Sequence, residues 1–346
     1  MSTFMQNEIR EQPDVLRRFA SAEAAHVQDI ARALGHAPID NVVIAARGTS
    51  YNAAIYGRYL LENLVGWPVS LAAPSLYTLY RRPPRLRNAL VMGISQSGQG
   101  ADVVEVVGEA RKQGATTVAI TNTAASPLAE AAEHVILCRA GVEQGMAATK
   151  TYTSQLYALA WLGAALTEDA SRFDALRVLP DQMARVLDLE ETVRTGAERY
   201  RYAERCVVVG RGFNYATALE IALKLRELTY VGVEPYSAAD FRHGSIAVVE
   251  PGFPALLIAP SGATVADLQT LAADLRDRHA ELLVMSDQPD LLQMARFSLC
   301  LPPTIPEWVS PLLYVVPGQL LACYLALAKG QDPDHPRTLR KVIITL

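Results

Sequence analysis

Val42-Val43-Ile44-Ala45-Ala46-Arg47-Gly48 and Val207-Val208-Val209-Gly210-Arg211-Gly212 are two versions of one pattern. Each is a β-branched run ending in Arg-Gly, followed by polar residues and then an Ala-rich helical stretch. The offset is 211 − 47 = 164. A second pair of segments repeats it. Residues 90–122 read strand, Ser-Gly, helix, strand, Thr-Asn, and residues 256–287 read strand, Ser-Gly, helix, strand, Ser-Asp. Ser97-Gly98 matches Ser261-Gly262, and 261 − 97 is again 164. Two landmarks at one offset predict a duplicated domain.

The first copy offers short apolar runs at 41–47, 69–73, 89–95, 116–122 and 134–140. The second offers them at 206–210, 233–237, 254–260, 280–286 and 297–302. Helical periods such as 101–113 and 263–278 separate most of them. Runs apolar on both faces, alternating with helices, predict buried parallel sheets joined by right-handed crossovers. The expected fold class is α/β, with two tandem doubly wound, mainly parallel five-stranded sheets, each in a three-layer α/β/α sandwich. The expected domains are an N-terminal helical segment (1–35), a first sheet domain (36–180), a charged helical linker (181–205), a second sheet domain (206–335) and a tail (336–346). One N-terminal helix is expected over roughly 13–34, and a long final helix over 311–329.

The 346 residues suit two such domains, and half of them are apolar, enough for a sizeable core. Net charge is -4, so no basic field exists to hold nucleic acid or an anionic membrane. Any phosphate must be held by local backbone geometry. Cys138, Cys206, Cys300 and Cys323 lie far apart without paired spacing, which predicts reduced core thiols and no metal or redox site. Residues 1–13 lack an apolar run, which argues against a signal peptide. The most apolar late stretch, 311–328, contains Pro317, Gly318 and Gln319, so a buried helix fits it better than a membrane span. A cytoplasmic protein is expected.

In open α/β sheets, ligands sit beyond the carboxyl ends of the strands. Two loops of the first copy have suitable chemistry there: Gly48-Thr49-Ser50 and Ser95-Gln96-Ser97-Gly98-Gln99-Gly100. Hydroxyls and glycine N–H groups at a helix start favour a phosphate dianion. Either loop alone reads more simply as a helix cap. Both at equivalent strand ends of one sheet point to a site. The second copy has Gly212-Phe213-Asn214 and Pro260-Ser261-Gly262-Ala263 instead, so it is expected to have lost phosphate binding.

Proton chemistry is expected in the second copy. Glu220, Lys224 and Glu227 stand at i, i+4 and i+7 of a helix over 215–230 that is otherwise apolar. On an isolated helix they would read as a solvated ion-pair stripe. The segment that follows contains Glu234, Asp240, Arg242, His243 and Gly244. A carboxylate near a lysine and a histidine is what enolisation beside a carbonyl needs.

At these residues the chain resembles a known family. Over nearly its full length it is similar to the isomerase half of glutamine–fructose-6-phosphate aminotransferase, a tandem sugar isomerase (SIS) family. The matching stretches are Met5-Gln-Asn-Glu-Ile-Arg-Glu-Gln-Pro13, Arg-Gly-Thr-Ser-Tyr-Asn (47–52), Ser-Gln-Ser-Gly (95–98) and Ala-Thr-Lys (148–150). They continue with Gly-Arg-Gly (210–212), Ala-Leu-Glu-Ile-Ala-Leu-Lys-Leu-Arg-Glu (218–227), Arg-His-Gly (242–244) and Pro-Arg-Thr-Leu-Arg-Lys (336–341). The resemblance implies that Gly48, Thr49, Ser50, Ser95, Gln96, Ser97, Ala148 and Glu220 line the substrate, with the serines and Gln96 on its phosphate. It implies that Glu227 moves a proton between carbons 1 and 2, and that Lys224 supports the developing charge. It further implies that His243 of a neighbouring subunit assists ring opening and that Lys341 meets the open-chain carbonyl. No metal or cofactor is implied. The implied partners are a small sugar phosphate and a second copy of the chain in a homodimer with shared sites.

The chain also departs from that pattern. The family usually has Cys where Arg47 stands, Thr where Gly100 stands and Ser where Ala148 stands. The aminotransferase begins with a glutaminase domain bearing an N-terminal cysteine, which this sequence lacks, so ammonia release from glutamine is not expected. Arg47, Ala148, Ala-Ala-Pro-Ser (72–75) and Ala-Asp-Phe-Arg-His (239–243) look more like the stand-alone glucosamine-6-phosphate deaminases. The expected activity is therefore conversion of glucosamine 6-phosphate to fructose 6-phosphate and ammonia. The alternatives are a glutamine–fructose-6-phosphate aminotransferase-like isomerase or a deglycase on another amino-sugar phosphate, and a non-catalytic sugar-phosphate sensor, since one fold hosts many functions.

Overall fold

The computed structural model describes residues 2–167, 169–303 and 305–338; Lys341 lies outside them. The chain opens with α1 (Phe4–Arg10), α2 (Gln12–Ala22) and α3 (Ala24–His36), then β1 (Asn41–Ala46), α4 (Gly48–Leu64), β2 (Val69–Leu71) and α5 (Ser75–Thr78). Next come β3 (Ala89–Ser95), α6 (Ala101–Lys112), β4 (Thr116–Thr121), α7 (Pro127–Ala131), β5 (His134–Leu137) and α8 (Lys150–Thr167). Two further helices, α9 (Ala170–Leu187) and α10 (Glu190–Arg199), lead into β6 (Arg205–Gly210), α11 (Asn214–Thr229), β7 (Gly232–Ser237) and α12 (Ala238–Arg242). The chain continues through β8 (Pro254–Ala259), α13 (Val265–Asp277), β9 (Glu281–Ser286), α14 (Pro289–Met294), β10 (Phe297–Cys300) and α15 (Ser310–Ala328).

The ten strands form two parallel five-stranded sheets, ordered β2-β1-β3-β4-β5 and β7-β6-β8-β9-β10. The second order repeats the first, as the duplication requires. In both, the chain leaves the first-formed strand to one side and then returns to its other side. The switch points fall between β1 and β3 and between β6 and β8, where a crevice opens at the strand ends. β1 and β3 run in register from Asn41↔Ala89 to Ala46↔Ile94. Central strands such as β1 and β8 are buried along almost their whole length, which is why they read as unbroken apolar runs.

The chain divides into two compact units. Among the described residues, one contains Gln12–Glu143 and Lys150–Val178; the other contains the first eleven residues, Gln144–Thr149 and the stretch 179–338. In the first unit, Val43, Val91, Val103, Val107, Ala119 and Leu128 form one face of the core. In the second, Val207, Val209, Phe241, Leu257, Leu271 and Val284 do the same. At a typical ~1.5–3 kcal/mol per fully buried large apolar side chain, these faces are the main stabilising term.

Local chemistry explains several ends. Ser126 caps α7, its Oγ accepting from the Ala129 N–H at 3.3 Å, with Pro127 at the first helical position. Thr3 and Gln6 close a reciprocal capping box on α1. The N-terminal helix expected over 13–34 is instead two helices. The break falls at Glu23, whose buried carboxylate is turned onto Arg139 Nε at 2.6 Å. The stretch Glu307–Ala328, which contains α15, is long and apolar enough to cross a membrane, yet its most apolar part is 89% buried within the protein. Gly318 lets α11 approach: a Cβ there would lie 2.2 Å from Ile221 Cδ1. All four cysteines are free thiols. Burial pushes those of Cys138, Cys206 and Cys323 up to about 12. Cys300 is exposed, a correction to the expected core position, because β10 is an edge strand with one face to solvent.

Candidate active site

The first unit assembles its polar loops at the β1–β3 switch point. Gly48 opens α4 with φ +53°, a left-handed conformation suited to glycine, and a Cβ there would meet nothing within 4 Å. Thr49 is half-buried. Ser50 is buried, and its Oγ accepts from Gln155 Nε2 of α8 at 3.0 Å. At the end of β3, Ser95 Oγ accepts from the Gly98 N–H at 3.2 Å, and Ser97 Oγ from the Gln99 N–H at 3.3 Å. A hydroxyl that accepts in this way keeps its own proton to donate to an anion. The carbonyls of this loop are held from behind. Gln96 O accepts from the Asn122 N–H at 3.0 Å and Gly98 O from the Leu128 N–H at 3.1 Å. Gly98 itself lies so close to Ser126 that a Cβ would be 2.2 Å from its Oγ. Gly100, the N-cap of α6, supplies no side-chain cap.

Arg47, Asp102, Glu143 and Thr151, which the sequence reading did not place in this site, join it. Asp102, in the first turn of α6 and 1% exposed, accepts from Arg47 Nε at 2.6 Å and from the Val103 N–H at 2.9 Å. Arg47 keeps more than half of its side chain exposed. Gln96 Nε2 donates to Glu143 Oε2 at 2.9 Å, and the buried Glu143 also accepts from the Thr151 N–H at 3.2 Å and its Oγ at 2.5 Å. These pairs span 55, 47 and 8 residues of chain. The only signals in the sequence were an arginine at an unusual position and a lone acid between β5 and α8.

The second unit holds the ionisable cluster. Glu220, Lys224 and Glu227 share one face of α11, but the face is not a solvated stripe. Glu220 is 0% and Lys224 1% exposed, while Glu227 is half-buried. Lys224 Nζ lies 2.5 Å from Glu227 Oε2 and 3.6 Å from Glu220 Oε1. A buried ammonium thus fixes one carboxylate that still reaches the surface. Beyond it, Tyr230 ends the helix at φ +60°. Its hydroxyl accepts from the Arg337 N–H at 2.7 Å, and the Arg337 guanidinium stacks on its ring at 4.5 Å. Arg337 is thereby tied to the residue three positions beyond Glu227 in the chain.

His243 follows α12 and is exposed. Phe241 is buried, and Arg242 is bound to Asp267, so the short helix is anchored and the histidine projects from it. Ala148 is half-buried and belongs to the second unit.

The second unit's own switch point is arranged differently. Ser261 hydrogen-bonds Asp287 through its N–H at 2.8 Å and its Oγ at 2.5 Å. Glu307 Oε2 accepts from the Ala263 N–H at 2.7 Å, and its Oε1 from Thr264 Oγ1 at 2.8 Å. A Cβ on Gly212 would be 3.7 Å from Glu307 Oε1, and one on Gly262 2.2 Å from Oε2.

Comparison with known proteins agrees with this architecture. The family described as SIS domain matches residues 37–165 and 200–329. Glutamine–fructose-6-phosphate aminotransferase from Legionella pneumophila subsp. pneumophila is 35% identical over 334 residues, covering 95% of this chain and 54% of that protein. The chain spans about half the length of the curated relatives it matches. The crystal structure of a candidate phosphosugar isomerase from Silicibacter pomeroyi DSS-3 superposes with a TM-score of 0.87 at 32% identity, covering 96% of this chain and 100% of that one. The C-terminal domain of the aminotransferase from Francisella tularensis gives 0.89 at 27%, covering 97% and 99%. The two matched segments fall one on each five-stranded sheet with its switch point: the chain belongs to the SIS domain family, with two such domains in tandem.

Proposed function

We propose that the chain is a sugar-phosphate isomerase of the SIS type that acts on an amino-sugar phosphate, converting glucosamine 6-phosphate and water to fructose 6-phosphate and ammonia. The observation that carries this reading is the Lys224–Glu227 pair. A half-buried carboxylate held at 2.5 Å by a buried ammonium is a positioned base, which a sensor of sugar phosphates would not need. The serine loops supply the second requirement, hydroxyl donors at a switch point.

In this reading Gly48, Thr49, Ser50, Ser95, Gln96 and Ser97 receive the phosphate, and Ala148 and Glu220 border the sugar. His243 of a second copy in a homodimer assists ring opening, which frees the aldehyde at carbon 1. Lys341, outside the described residues, attends that carbonyl. Glu227 then takes the proton from carbon 2 and returns it to carbon 1. Electrons shift through the enolamine while the C1 oxygen gains a proton and the amine nitrogen loses one, so the C1 carbonyl is reduced to an alcohol and C2 becomes an imine. Water adds to the imine carbon and ammonia leaves, giving the ketose. Lys224 stabilises charge on the carboxylate and the developing enolate.

A second reading is favoured by relatives that are 34–35% identical and named aminotransferases. It is the reverse chemistry, with ammonia added to fructose 6-phosphate. It uses the same proton transfer, so the two differ in direction and ammonia source. Coupled assay of ammonia and fructose 6-phosphate released from glucosamine 6-phosphate tests the first reading. Turnover of another amino-sugar phosphate and not this one would overturn the substrate assignment.

A further inference from the structure

The two copies carry the same acid in the same connection and use it differently. Between the fifth strand and the last helix of each copy stands one acidic residue: Glu143 in 138–149 and Glu307 in 301–309. They are separated by 307 − 143 = 164, the offset of the repeat. In the second copy the carboxylate of Glu307 is seated on the start of α13. It accepts from Ala263 and Thr264 and lies against Gly212 and Gly262. These residues are the repeat counterparts of Gln99, Gly100, Gly48 and Gly98. The chain's own anion therefore occupies the place assigned to phosphate in the first copy.

Glu143 does not reach its equivalent place. It is held by Gln96 Nε2 at 2.9 Å and by the N–H and hydroxyl of Thr151, the second residue of α8. Neither holding group survives in the second copy. The counterpart of Gln96 is Pro260, and the second residue of α15 is Pro311. Proline has no N–H and no side-chain donor, so nothing at these two positions can draw Glu307 back.

We propose that this shared glutamate decides which copy binds the sugar phosphate. Thr151 and Gln96 hold Glu143 off the first copy's anion position and leave it open, whereas Glu307 fills and closes the second. Glu143 and Thr151 are positioning residues, and the chain takes one phosphate. The inference rests on the reading of the serine loops as the phosphate site.

The test is titration of inorganic phosphate into the purified full chain by calorimetry. One phosphate per chain is expected, and two per chain would overturn the closure of the second copy. Ser97→Ala checks the underlying reading: unchanged affinity in that variant places phosphate elsewhere and removes the ground for both. Thr151→Val keeps the side-chain shape and deletes the hydroxyl. With Glu143 released toward the loop, phosphate should bind at least about tenfold more weakly, because a carboxylate competes for the same donors. Adding Glu143→Gln to Thr151→Val removes the competing charge, and affinity should return to within about threefold of wild type. A protein of normal melting temperature carrying Thr151→Val with unchanged affinity would overturn the proposal. So would a folded double variant that stays weak, since that result marks Thr151 as a packing residue only.

Discussion

Lys224 Nζ sits 2.5 Å from Glu227 Oε2 with the lysine side chain 1% exposed and the glutamate's 22% exposed. A charged group this buried is tolerated only with its partners in place, and breaking such a pair by removing one member typically costs ~3–5 kcal/mol. Lys224→Ala should therefore lower unfolding stability by a few kcal/mol as well as abolish turnover. Urea denaturation measures it. A loss below about 1 kcal/mol would mean that the pair is solvated in solution.

The 95–100 loop depends on the absence of a side chain at Gly98. Gly98→Ala adds a Cβ 2.2 Å from Ser126 Oγ at a φ of +65°. A strained left-handed residue alone costs ~1–3 kcal/mol. Gly48→Ala has the same kind of backbone strain, at φ +53°, but open space around it. Thermal melts should rank Gly98→Ala clearly below Gly48→Ala. Equal melting temperatures would show that the loop relaxes away from Ser126.

His335 and Asp332 form a titratable latch just before Arg337. The hydrogen bond from His335 Nδ1 to Asp332, at 2.8 Å, raises the imidazole above its ordinary value and lowers the carboxyl below its own. The histidine's contribution is complete below its unfolded value and fades as pH rises through its raised native one. The aspartate's is complete above its unfolded value and fades as pH falls through its lowered one. The latch is strongest between them, from about pH 4 to 6.5. An NMR titration should place His335 above about 6.5, and Asp332→Asn should bring it down. No difference between the two proteins would refute the latch.

The exposed position of His243 on an anchored α12 suits donation to a neighbouring molecule. Mixing inactive Glu227→Gln and His243→Ala proteins should restore activity after subunit exchange. A two-fold dimer makes half the dimers mixed, so roughly a quarter of sites become intact. No recovery, with exchange confirmed by size measurement on tagged mixtures, would place His243 in its own chain's site.

Most of the sheet architecture was legible in the sequence because buried parallel strands are continuous apolar runs. The strands at 41–46 and 254–259 end within a residue of the expected bounds. The split at Glu23 was not legible, because it comes with a buried link to Arg139, 116 residues away. Nor was the burial of Glu220 and Lys224, since i, i+4 spacing is the same on a wet or a dry helix face. Residue type and strand-end position single out Ser50, Ser95 and Ser97 as candidates, and the structure brings them to one switch point. Their supports, Asp102, Glu143, Thr151 and Gln155, are not singled out in this way, because what places them is tertiary pairing between loops and helices. Edge exposure of Cys300 was hidden for a similar reason: an apolar run does not reveal which strand is last in the sheet.

The central claim, that Glu227 moves the proton, is tested most directly by solvent exchange at carbon 2 of glucosamine 6-phosphate in deuterium oxide, followed by NMR. Wild-type protein should exchange this hydrogen and should carry deuterium into carbon 1 of the fructose 6-phosphate formed. Glu227→Gln should slow exchange by roughly 10²–10⁴ while inorganic phosphate binds as before. Exchange at the wild-type rate in Glu227→Gln, with the protein folded and phosphate bound, would contradict the assignment.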